Sequence, residues 1–345
     1  MSYRLAINGY GRIGQSILRV LYAHGYRQDL QVVAINELAD LPTICYLTRY
    51  DTTHGRFQGE VDLLSESKSG RGRQGLIVNE DEIAVTHIAS PADLPWTDQE
   101  VDIVLECTGV YHSREHAQWH LEAGARRVLF SQPASIDVDR TIVYGVNQNA
   151  LQSGDRIVSS ASCTTNCIVP VIKVLNDAFG IEQGTITTIH SAMNDQPMID
   201  AYHHTDLRRT RSAMQNMVPV NTGLAKGIER FFPALQNCFT AMAVRVPTIN
   251  VSAMDLTVNL GKSVNEQQVN DVLKAASRGG LKGILDYTDE PVASSDFKQD
   301  RHSGIVDGSQ TRVTNGRLVK VFSWFDNEWG FANRMLDVAG YWLDL

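Results

Sequence analysis

The glycine-rich turn near the N-terminus restricts the possible folds of this chain more than any other feature. Gly9 to Gly14 follow the pattern G-x-G-x-x-G. They come directly after an apolar run, Tyr3 to Asn8, that predicts a buried strand, and they open a segment with helical apolar spacing, Arg12 to His24. At such a turn the three glycines permit a tight bend, a close approach of the backbone to a pyrophosphate, and close packing of helix on strand. The pattern therefore predicts a dinucleotide-binding βαβ unit.

A second strand and an acidic residue complete this unit. Leu30 to Asn36 is an apolar run that predicts the next strand, and Glu37 follows it, 23 residues after Gly14. A carboxylate at about this spacing binds the adenosine ribose hydroxyls and repels the additional phosphate of NADP. We therefore expect NAD as the cofactor.

The two halves of the chain differ in pattern. In the first half, short apolar runs alternate with amphipathic stretches, as in a parallel sheet covered by helices. In the second half, alternating runs such as Gly184 to Ser191 and Val251 to Leu260 predict a mostly antiparallel sheet. The expected fold class is α/β, with an N-terminal Rossmann dinucleotide-binding domain and an α+β catalytic domain. We expect the boundaries 1–161, joined by a C-terminal helix at 326–345, and 162–325 for the catalytic domain.

Shorter segments carry further predictions. Leu76 to Ile88 predicts a hairpin that turns at Asn79, and Ser65 to Gly75 predicts a polar surface loop. Thr141 to Val146 predicts a strand, and Ile172 to Ala178 predicts a helix.

The charge and composition exclude several kinds of function. The 345 residues include 31 Lys and Arg against 39 Asp and Glu, a net charge of −8, without an extended basic run. Nucleic acid and membranes are therefore not expected as partners. We find neither a signal-peptide pattern nor an apolar run of the roughly 20 residues that span a bilayer, so we expect a cytoplasmic protein. The five cysteines are odd in number and irregularly spaced, which fits reduced thiols.

One cysteine stands at a position suited to reactivity. Cys163 lies between a predicted strand, Arg156 to Ser159, and the predicted helix that follows. The helix dipole and free N–H groups at such a junction favour a thiolate, and the same N–H groups can bind an oxyanion. Cys167 comes one helical turn later and is expected to be buried. A metal site is disfavoured, because no matching second pair of ligands is present.

A nucleophilic thiol also needs a base nearby in space. Most of the ten histidines are expected to be ordinary surface or interior residues. His190 differs from them because it ends the strand-like run Thr185 to Ile189 and precedes the polar segment Ser191 to Asp195. It is therefore the candidate base.

Across essentially its whole length the chain resembles the glyceraldehyde-3-phosphate dehydrogenase family. The resemblance is carried by the glycine motif, by Ala161 to Cys167, by Arg245 to Thr248 and by Asp326 to Gly330. Within the family, four other segments look more like the D-erythrose-4-phosphate dehydrogenase branch. These segments are Ile35 to Asp40, Tyr144 to Gln148, Ile189 to Met193 and Asp206 to Arg211.

The resemblance implies a homotetrameric NAD enzyme with a covalent mechanism. Cys163 would attack the aldehyde to form a thiohemiacetal, and His190 would act as base while hydride passes to NAD. A thioester remains, which phosphate attacks in the glyceraldehyde branch and water in the erythrose branch. Hydrolysis would give 4-phosphoerythronate, an early intermediate of pyridoxal phosphate synthesis.

The resemblance also implies a set of binding residues. Two guanidiniums, with hydroxyls and a backbone N–H, would hold phosphate, so we expect this acidic chain to concentrate positive charge there. At the cofactor, the resemblance adds Arg12, Ile13, Thr108, Ser131 and Asn327 to the residues already named, which are Gly9, Gly11, Gly14 and Glu37. It places phosphate at Ser162, Thr164, Arg209, Thr222, Gly223 and Arg245.

Three positions depart from the pattern of the family. Met193 stands where the glyceraldehyde enzymes have a threonine hydroxyl. The loss of this donor should weaken the binding of an anion there by roughly 1.5 to 3 kcal/mol. Phe325 replaces a tyrosine near the cofactor, and Ala89 stands where some erythrose enzymes place an arginine. The first departure favours the erythrose branch.

Three functions follow from these observations. The first is an NAD-dependent D-erythrose-4-phosphate dehydrogenase. The second is a phosphorylating glyceraldehyde-3-phosphate dehydrogenase of glycolysis, with the same Cys163 and His190. The third, of another class, is a non-catalytic dinucleotide-binding protein or thiol redox sensor, in which Cys163 would be an oxidisable thiol.

Overall fold

A computed structural model describes residues 2–65, 74–203 and 206–345. The chain divides into two compact units, which are described separately below. The first unit contains Met1–Ser162 and Ala332–Leu345, and the second contains Cys163–Phe331.

The first unit is built on a largely parallel sheet. Among the described residues its strand order is β10-β11-β9-β8-β1-β2-β7-β6-β5, with antiparallel pairing only where β5, β6 and β7 meet. β1 lies at the centre of the sheet, between β2 and β8. Later strands are added on both sides of β1, as in doubly wound folds. The elements are β1 Tyr3–Asn8, α1 Arg12–Ala23, β2 Leu30–Asn36, α2 Leu41–Arg49, β3 Tyr50–Asp51, β4 Gly55–Arg56, β5 Val61–Leu64, β6 Gly75–Val78, β7 Asp81–Thr86, β8 Ile103–Glu106, α3 Arg114–Glu122, β9 Arg127–Phe130, β10 Arg140–Thr141 and β11 Ile157–Ser159.

Local sequence explains why these elements form. The strands at the centre of the sheet are continuous apolar runs because helices cover both faces of a parallel sheet, and Leu5, Ile7 and Ile35 are fully buried. Helix α3 begins with a capping box, in which Ser113 accepts from the backbone N–H of His116 at 3.2 Å.

The second unit is built on a mixed, mostly antiparallel sheet. Its strand order among the described residues is β13-β14-β12-β15-β18-β17-β16, and only the pairs β12 with β14 and β16 with β17 are parallel. This confirms the predicted class of both sheets. The elements are α4 Cys163–Phe179, β12 Ile181–His190, β13 Val218–Val220, α5 Leu224–Glu229, β14 Phe239–Arg245, β15 Ser252–Leu260, α6 Glu266–Arg278, β16 Leu285–Thr288, β17 Gly304–Thr314 and β18 Leu318–Phe325. The last helix, α7 Trp329–Leu343, begins in the second unit and belongs to the first unit from Ala332 onward.

Two sequence predictions need correction. The strand predicted over Thr141 to Val146 ends at Thr141, because the chain then turns and Asn147 accepts from the backbone N–H of Val143 at 2.8 Å. The helix predicted over Ile172 to Ala178 begins earlier, at Cys163, and continues past Pro170. The hairpin at Asn79 is confirmed.

Most of the predicted loop Ser65 to Gly75, at 66–73, lies outside the described residues. Within the described ranges, every helix is too short or too polar to cross a membrane.

Candidate functional site

The first unit has a cleft at the carboxyl ends of β1, β2, β7 and β8. This is the edge at which doubly wound sheets bind ligands, where the connections diverge. Of the residues predicted to contact the cofactor, Gly9, Gly11, Glu37 and Thr108 line it. Sequence reasoning missed several of the other lining residues, among them Asn8, Asn36, Ile88, Cys107, Val110 and Tyr111.

Two of the glycines are required by close approaches. A Cβ on Gly9 would lie 2.6 Å from the backbone nitrogen of Thr108, and Gly9 has a positive φ of 87°. A Cβ on Gly14 would lie 2.4 Å from the carbonyl oxygen of Gly9, so Gly14 lets α1 pack against the turn. Gly11, the N-cap of α1, has open space around it. A cofactor pyrophosphate can therefore reach the backbone at Gly11.

The carboxylate of Glu37 lies at the end of β2 and faces the glycine turn. Its Oε2 accepts from the backbone N–H of Tyr10 at 2.8 Å, and its Oε1 accepts from that of Leu38 at 2.7 Å. Arg12 is the first residue of α1 and pairs with Asp51. Partial burial raises the pKa of Asp51, but the Arg12 guanidinium and backbone N–H groups lower it to about 2. Glu37 is therefore held at the position where an acidic residue can meet a ribose.

A buried polar network supports the Thr108 side of the cleft. Glu106 is fully buried, and its Oε1 accepts from the backbone N–H of Thr108 at 2.8 Å. Its Oε2 accepts from Asn8 at 2.6 Å and contacts Nε2 of His120 at 3.0 Å, while Trp96 donates to Nδ1 of His120. Because Trp96 donates to Nδ1, the proton of a neutral His120 lies on Nε2 and points at the carboxylate.

The second unit brings Cys163 and His190 together. Cys163 is the first residue of α4, and His190 is the last residue of β12. The sulphur of Cys163 lies 4.0 Å from Nε2 of His190. Nδ1 of His190 lies 2.8 Å from the carbonyl oxygen of Ser191. A carbonyl only accepts, so Nδ1 carries the proton and the lone pair of Nε2 faces the thiol.

The protonation states differ from the sequence expectation. Burial raises the pKa of the Cys163 thiol to about 12, although the backbone N–H groups of Thr164 and of Cys163 itself lower it. The helix start supplies the expected N–H groups, but burial outweighs them, and the resting form is the thiol. Burial also lowers the pKa of His190, which is therefore neutral at pH 7. The pair is a thiol facing a neutral imidazole.

The two predicted anion-binding arginines share one carboxylate. Arg245 lies opposite His190 in the parallel pairing of β12 with β14. Its Nη1 and Nη2 donate to Asp195 at 2.5 and 3.1 Å, and Nη1 of Arg209 donates to Asp195 at 3.1 Å. Nη2 of Arg245 also lies 3.6 Å from the sulphur of Met193. Sequence reasoning missed Asp195 as a partner, although it lies in the polar segment that follows His190.

Asn327 is oriented by two serines of the same unit. Its Oδ1 accepts from the hydroxyls of Ser191 at 3.0 Å and Ser252 at 3.1 Å. These bonds leave the amide nitrogen as the donor on the other side of the group. Phe325 packs edge-on against His190, with ring centres 6.2 Å apart.

The remaining predicted residues lie at element ends. Ser162 directly precedes α4, Thr164 is its second residue, and Thr222 accepts from the backbone N–H of Leu224 at 3.2 Å beside the N-cap Gly223 of α5. Ile13 is in α1, and Ser131 follows β9 and hydrogen-bonds the thiol of Cys107. Cys167 is fully buried, as predicted.

The polar groups of the cleft suit an organic cofactor rather than a metal ion. Within the described ranges, no group of three or more His, Cys, Asp or Glu side chains is arranged to hold a metal ion. The cleft of the first unit offers a glycine turn at a helix start and the acceptor Glu37 at the next strand end, which fit the pyrophosphate and a ribose of a dinucleotide.

Comparison with family models agrees with this geometry. Residues 3–114 match the model described as glyceraldehyde 3-phosphate dehydrogenase, NAD binding domain. Residues 162–327 match the model described as glyceraldehyde 3-phosphate dehydrogenase, C-terminal domain. The two matches cover most of the chain, and the cofactor of the family is NAD. The chain therefore belongs to the glyceraldehyde-3-phosphate dehydrogenase family of NAD-dependent oxidoreductases.

Proposed function

We propose that this chain oxidises D-erythrose 4-phosphate to 4-phosphoerythronate with NAD, and that water releases the product. The observation that carries this choice within the family is the surroundings of Arg245, whose guanidinium contacts the thioether of Met193 and the carboxylate of Asp195. Neither group donates a hydrogen bond to a phosphate. Such a site disfavours phosphate as the group that attacks the thioester.

NAD would be held by Gly9, Gly11, Arg12, Ile13, Gly14, Glu37, Thr108 and Ser131, with the amide nitrogen of Asn327 donating to the nicotinamide carboxamide. When bound, it supplies the hydride acceptor for the aldehyde carbon. The anionic groups of the substrate would be held by Ser162, Thr164, Arg209, Thr222, Gly223 and Arg245.

The first chemical step is addition of the Cys163 thiol to the aldehyde carbon. Because the thiol is protonated at rest, Nε2 of His190 takes its proton as the sulphur–carbon bond forms. The carbonyl oxygen then accepts this proton from His190 and becomes the hydroxyl of the thiohemiacetal, which leaves His190 neutral again. The backbone N–H groups at the start of α4 stabilise the negative charge that develops on this oxygen.

The second step oxidises the thiohemiacetal. His190 takes the hydroxyl proton while hydride leaves the same carbon, and the carbon becomes the carbonyl of a thioester. The carbonyl oxygen of Ser191 keeps the imidazole in the tautomer that accepts at Nε2. After His190 has released this proton to solvent, it takes a proton from a water molecule that adds to the thioester. The carbon–sulphur bond then breaks and His190 gives the proton to the sulphur, which leaves the acid and the Cys163 thiol.

A paired assay tests the proposal. The purified chain should form NADH from erythrose 4-phosphate without added phosphate, and faster than from glyceraldehyde 3-phosphate with phosphate. The opposite ranking, with acyl phosphate as the product, would identify the phosphorylating enzyme of glycolysis instead.

Replacement of Cys163 tests the alternative of a non-catalytic protein. Cys163→Ser should abolish NADH formation and leave NAD binding, measured by calorimetry, within about twofold of the wild type. A raised thiol pKa is unfavourable for a redox sensor, because oxidation proceeds through the thiolate. A wild type that binds NAD but forms no NADH from either aldehyde would contradict the enzymatic role.

We make four further proposals about the chain. The chain would act as a homotetramer in the cytoplasm, and its product would enter pyridoxal phosphate synthesis. The domain boundaries would be 1–161 with 326–345, and 162–325. Light scattering coupled to size exclusion measures the oligomeric state, and a monomer would contradict the proposed assembly.

A further inference from the structure

A row of polar side chains crosses the carboxyl ends of four strands at the cleft of the first unit. Asn8 ends β1 and is the register partner of both Glu106 on β8 and Asn36 on β2. Asn36 is in turn the partner of Thr86 on β7. The side chains are hydrogen-bonded in the same order, with Asn8 donating to Glu106 at 2.6 Å, Asn36 to Asn8 at 2.8 Å and Thr86 to Asn36 at 2.8 Å. Every donor of the row therefore points toward the carboxylate of Glu106.

The partners of this carboxylate show that it is ionised. Besides Asn8, it contacts the backbone N–H of Thr108 at 2.8 Å, the hydroxyl of Thr108, and Nε2 of His120 at 3.0 Å. The Thr108 hydroxyl accepts from the backbone N–H of Val110 at 3.2 Å, and its own hydrogen is directed at Glu106. All four groups donate to the two oxygens, as expected around a carboxylate rather than a carboxylic acid.

The charge of Glu106 is not balanced by His120. The indole N–H of Trp96 donates to Nδ1 of His120 at 3.0 Å, so that nitrogen carries no proton and the imidazole is neutral. The side chains of Glu106 and His120 are both fully buried, and in the part of the chain that the structure describes this contact is the only one of ion-pair type that Glu106 makes. The first unit therefore holds a buried negative charge that hydrogen bonds, rather than a cation, stabilise.

This charge lies beside the part of the cleft that would receive the nicotinamide half of NAD. Asn8 and Thr108 contact the carboxylate and also line the cleft, so one layer of residues separates Glu106 from a ligand. Doubly wound sheets bind the two halves of a dinucleotide on the two sides of the central strand. With the adenosine ribose at Glu37 on the β2 side and the pyrophosphate at Gly11, the nicotinamide half extends over the β8 side.

We propose that the carboxylate of Glu106 makes the cofactor site select oxidised NAD over NADH. The nicotinamide ring is positively charged in NAD and neutral in NADH, whereas the rest of the two molecules is the same. For unit charges about 10 Å apart at an effective dielectric constant of about 20, Coulomb's law gives a preference of roughly tenfold. Such a preference favours release of NADH after each turnover. The inference rests on the proposed placement of NAD at Gly11 and Glu37, and it is independent of the aldehyde.

Calorimetric titration with NAD and with NADH, in the absence of any aldehyde, tests the proposal. Glu106→Gln removes the charge and should lower the ratio of the NADH Kd to the NAD Kd at least about threefold. Glu106→Asp retains a carboxylate and should keep this ratio within about twofold of the wild type, even where the shorter side chain weakens the binding of both forms. An unchanged ratio in Glu106→Gln would overturn the proposal, because a residue that only holds Asn8 and Thr108 in place would affect both forms equally.

The matched control is Glu37→Gln, which makes the same chemical change at the adenosine end of the cofactor. NAD and NADH have the same adenosine half, so this variant should change both affinities by the same factor and leave their ratio unchanged. A ratio lowered as much in Glu37→Gln as in Glu106→Gln would overturn the assignment to Glu106. The ranking of the two sugars does not enter these titrations, so failure of the proposed substrate and failure of this inference are distinguishable.

A second variant and a measurement on the wild type guard against loss of folding. An amide at position 106 directs an N–H group at a donor of Thr108 or His120, which destabilises the fold. Glu106→Met is neutral and adds no donor, and it should lower the ratio by the same factor, with folding checked by circular dichroism. In the wild type, NAD should bind more tightly than NADH. Tighter binding of NADH by the wild type would overturn the proposal.

Discussion

Burial and hydrogen bonding set the protonation states of Cys163 and His190. Burial raises the pKa of the thiol to about 12 and lowers that of the imidazole, so both groups are neutral at rest. The carbonyl of Ser191 raises the pKa of His190 and fixes its tautomer, while Arg245 lowers this pKa and Asp195 raises it. His190 is therefore ready to accept a proton at pH 7.

The acid limb of the pH profile should report His190. Its pKa is lowered, so kcat/KM should fall only below the ordinary histidine value of about 6.5, as the base becomes protonated. Arg245→Gln removes a cation that disfavours protonation and should move this limb to higher pH. Asp195→Asn removes an anion that favours protonation and should move the limb to lower pH.

The opposite signs of these two shifts separate electrostatics from general damage to the site. Asp200→Asn is the control, since Asp200 pairs with Arg211 at the surface of the same segment, and it should leave the limb in place. His190→Gln should lower kcat by about 10²- to 10⁴-fold and remove the limb. A limb that is retained in His190→Gln would assign it to another group.

At the scale of elements, the turn between β1 and α1 gives two glycines different tasks. A Cβ on Gly14 would meet the carbonyl oxygen of Gly9 at 2.4 Å, whereas a Cβ on Gly11 would meet nothing within 4 Å. We expect Gly14→Ala to reduce the free energy of unfolding by about 1 to 3 kcal/mol, because helix and turn must move apart. We expect Gly11→Ala to change it by less than about 0.5 kcal/mol and to weaken NAD binding, because its methyl group enters the cleft.

Urea denaturation and NAD titration of both variants measure these effects. The two glycines would share one role if both variants lost stability equally. A Gly11→Ala variant with unchanged NAD affinity would contradict the assignment of Gly11 to the pyrophosphate.

Local patterns predicted the parts of the fold that local interactions determine. The strand Tyr3–Asn8 and the glycine turn were predictable because apolar runs and glycine positions are written in consecutive residues. The resting thiol was not, because the helix start at Cys163 is visible in the sequence but the burial around its sulphur is a tertiary property. Asp195 was missed for the same reason: its partner Arg245 lies 50 residues away in the sequence.

At the scale of the whole molecule, the chain combines a net charge of −8 with phosphorylated ligands. The sequence led us to expect an excess of positive charge at Arg209 and Arg245. The structure instead gives both arginines the carboxylate of Asp195, and gives Arg12 that of Asp51. The positive charge at these three arginines is therefore locally balanced by carboxylates of the chain itself.

Glu37 should make the stability of the chain depend on the kind of dinucleotide. NAD at about 100 times its Kd should stabilise the native state by roughly 2.7 kcal/mol. NADP at the same concentration should give a much smaller rise in unfolding temperature, because its additional phosphate would meet the carboxylate of Glu37 at the end of β2. Glu37→Gln should reduce the difference between the two cofactors, as measured by differential scanning calorimetry. Equal stabilisation of the wild type by NAD and NADP would show that Glu37 does not select the cofactor.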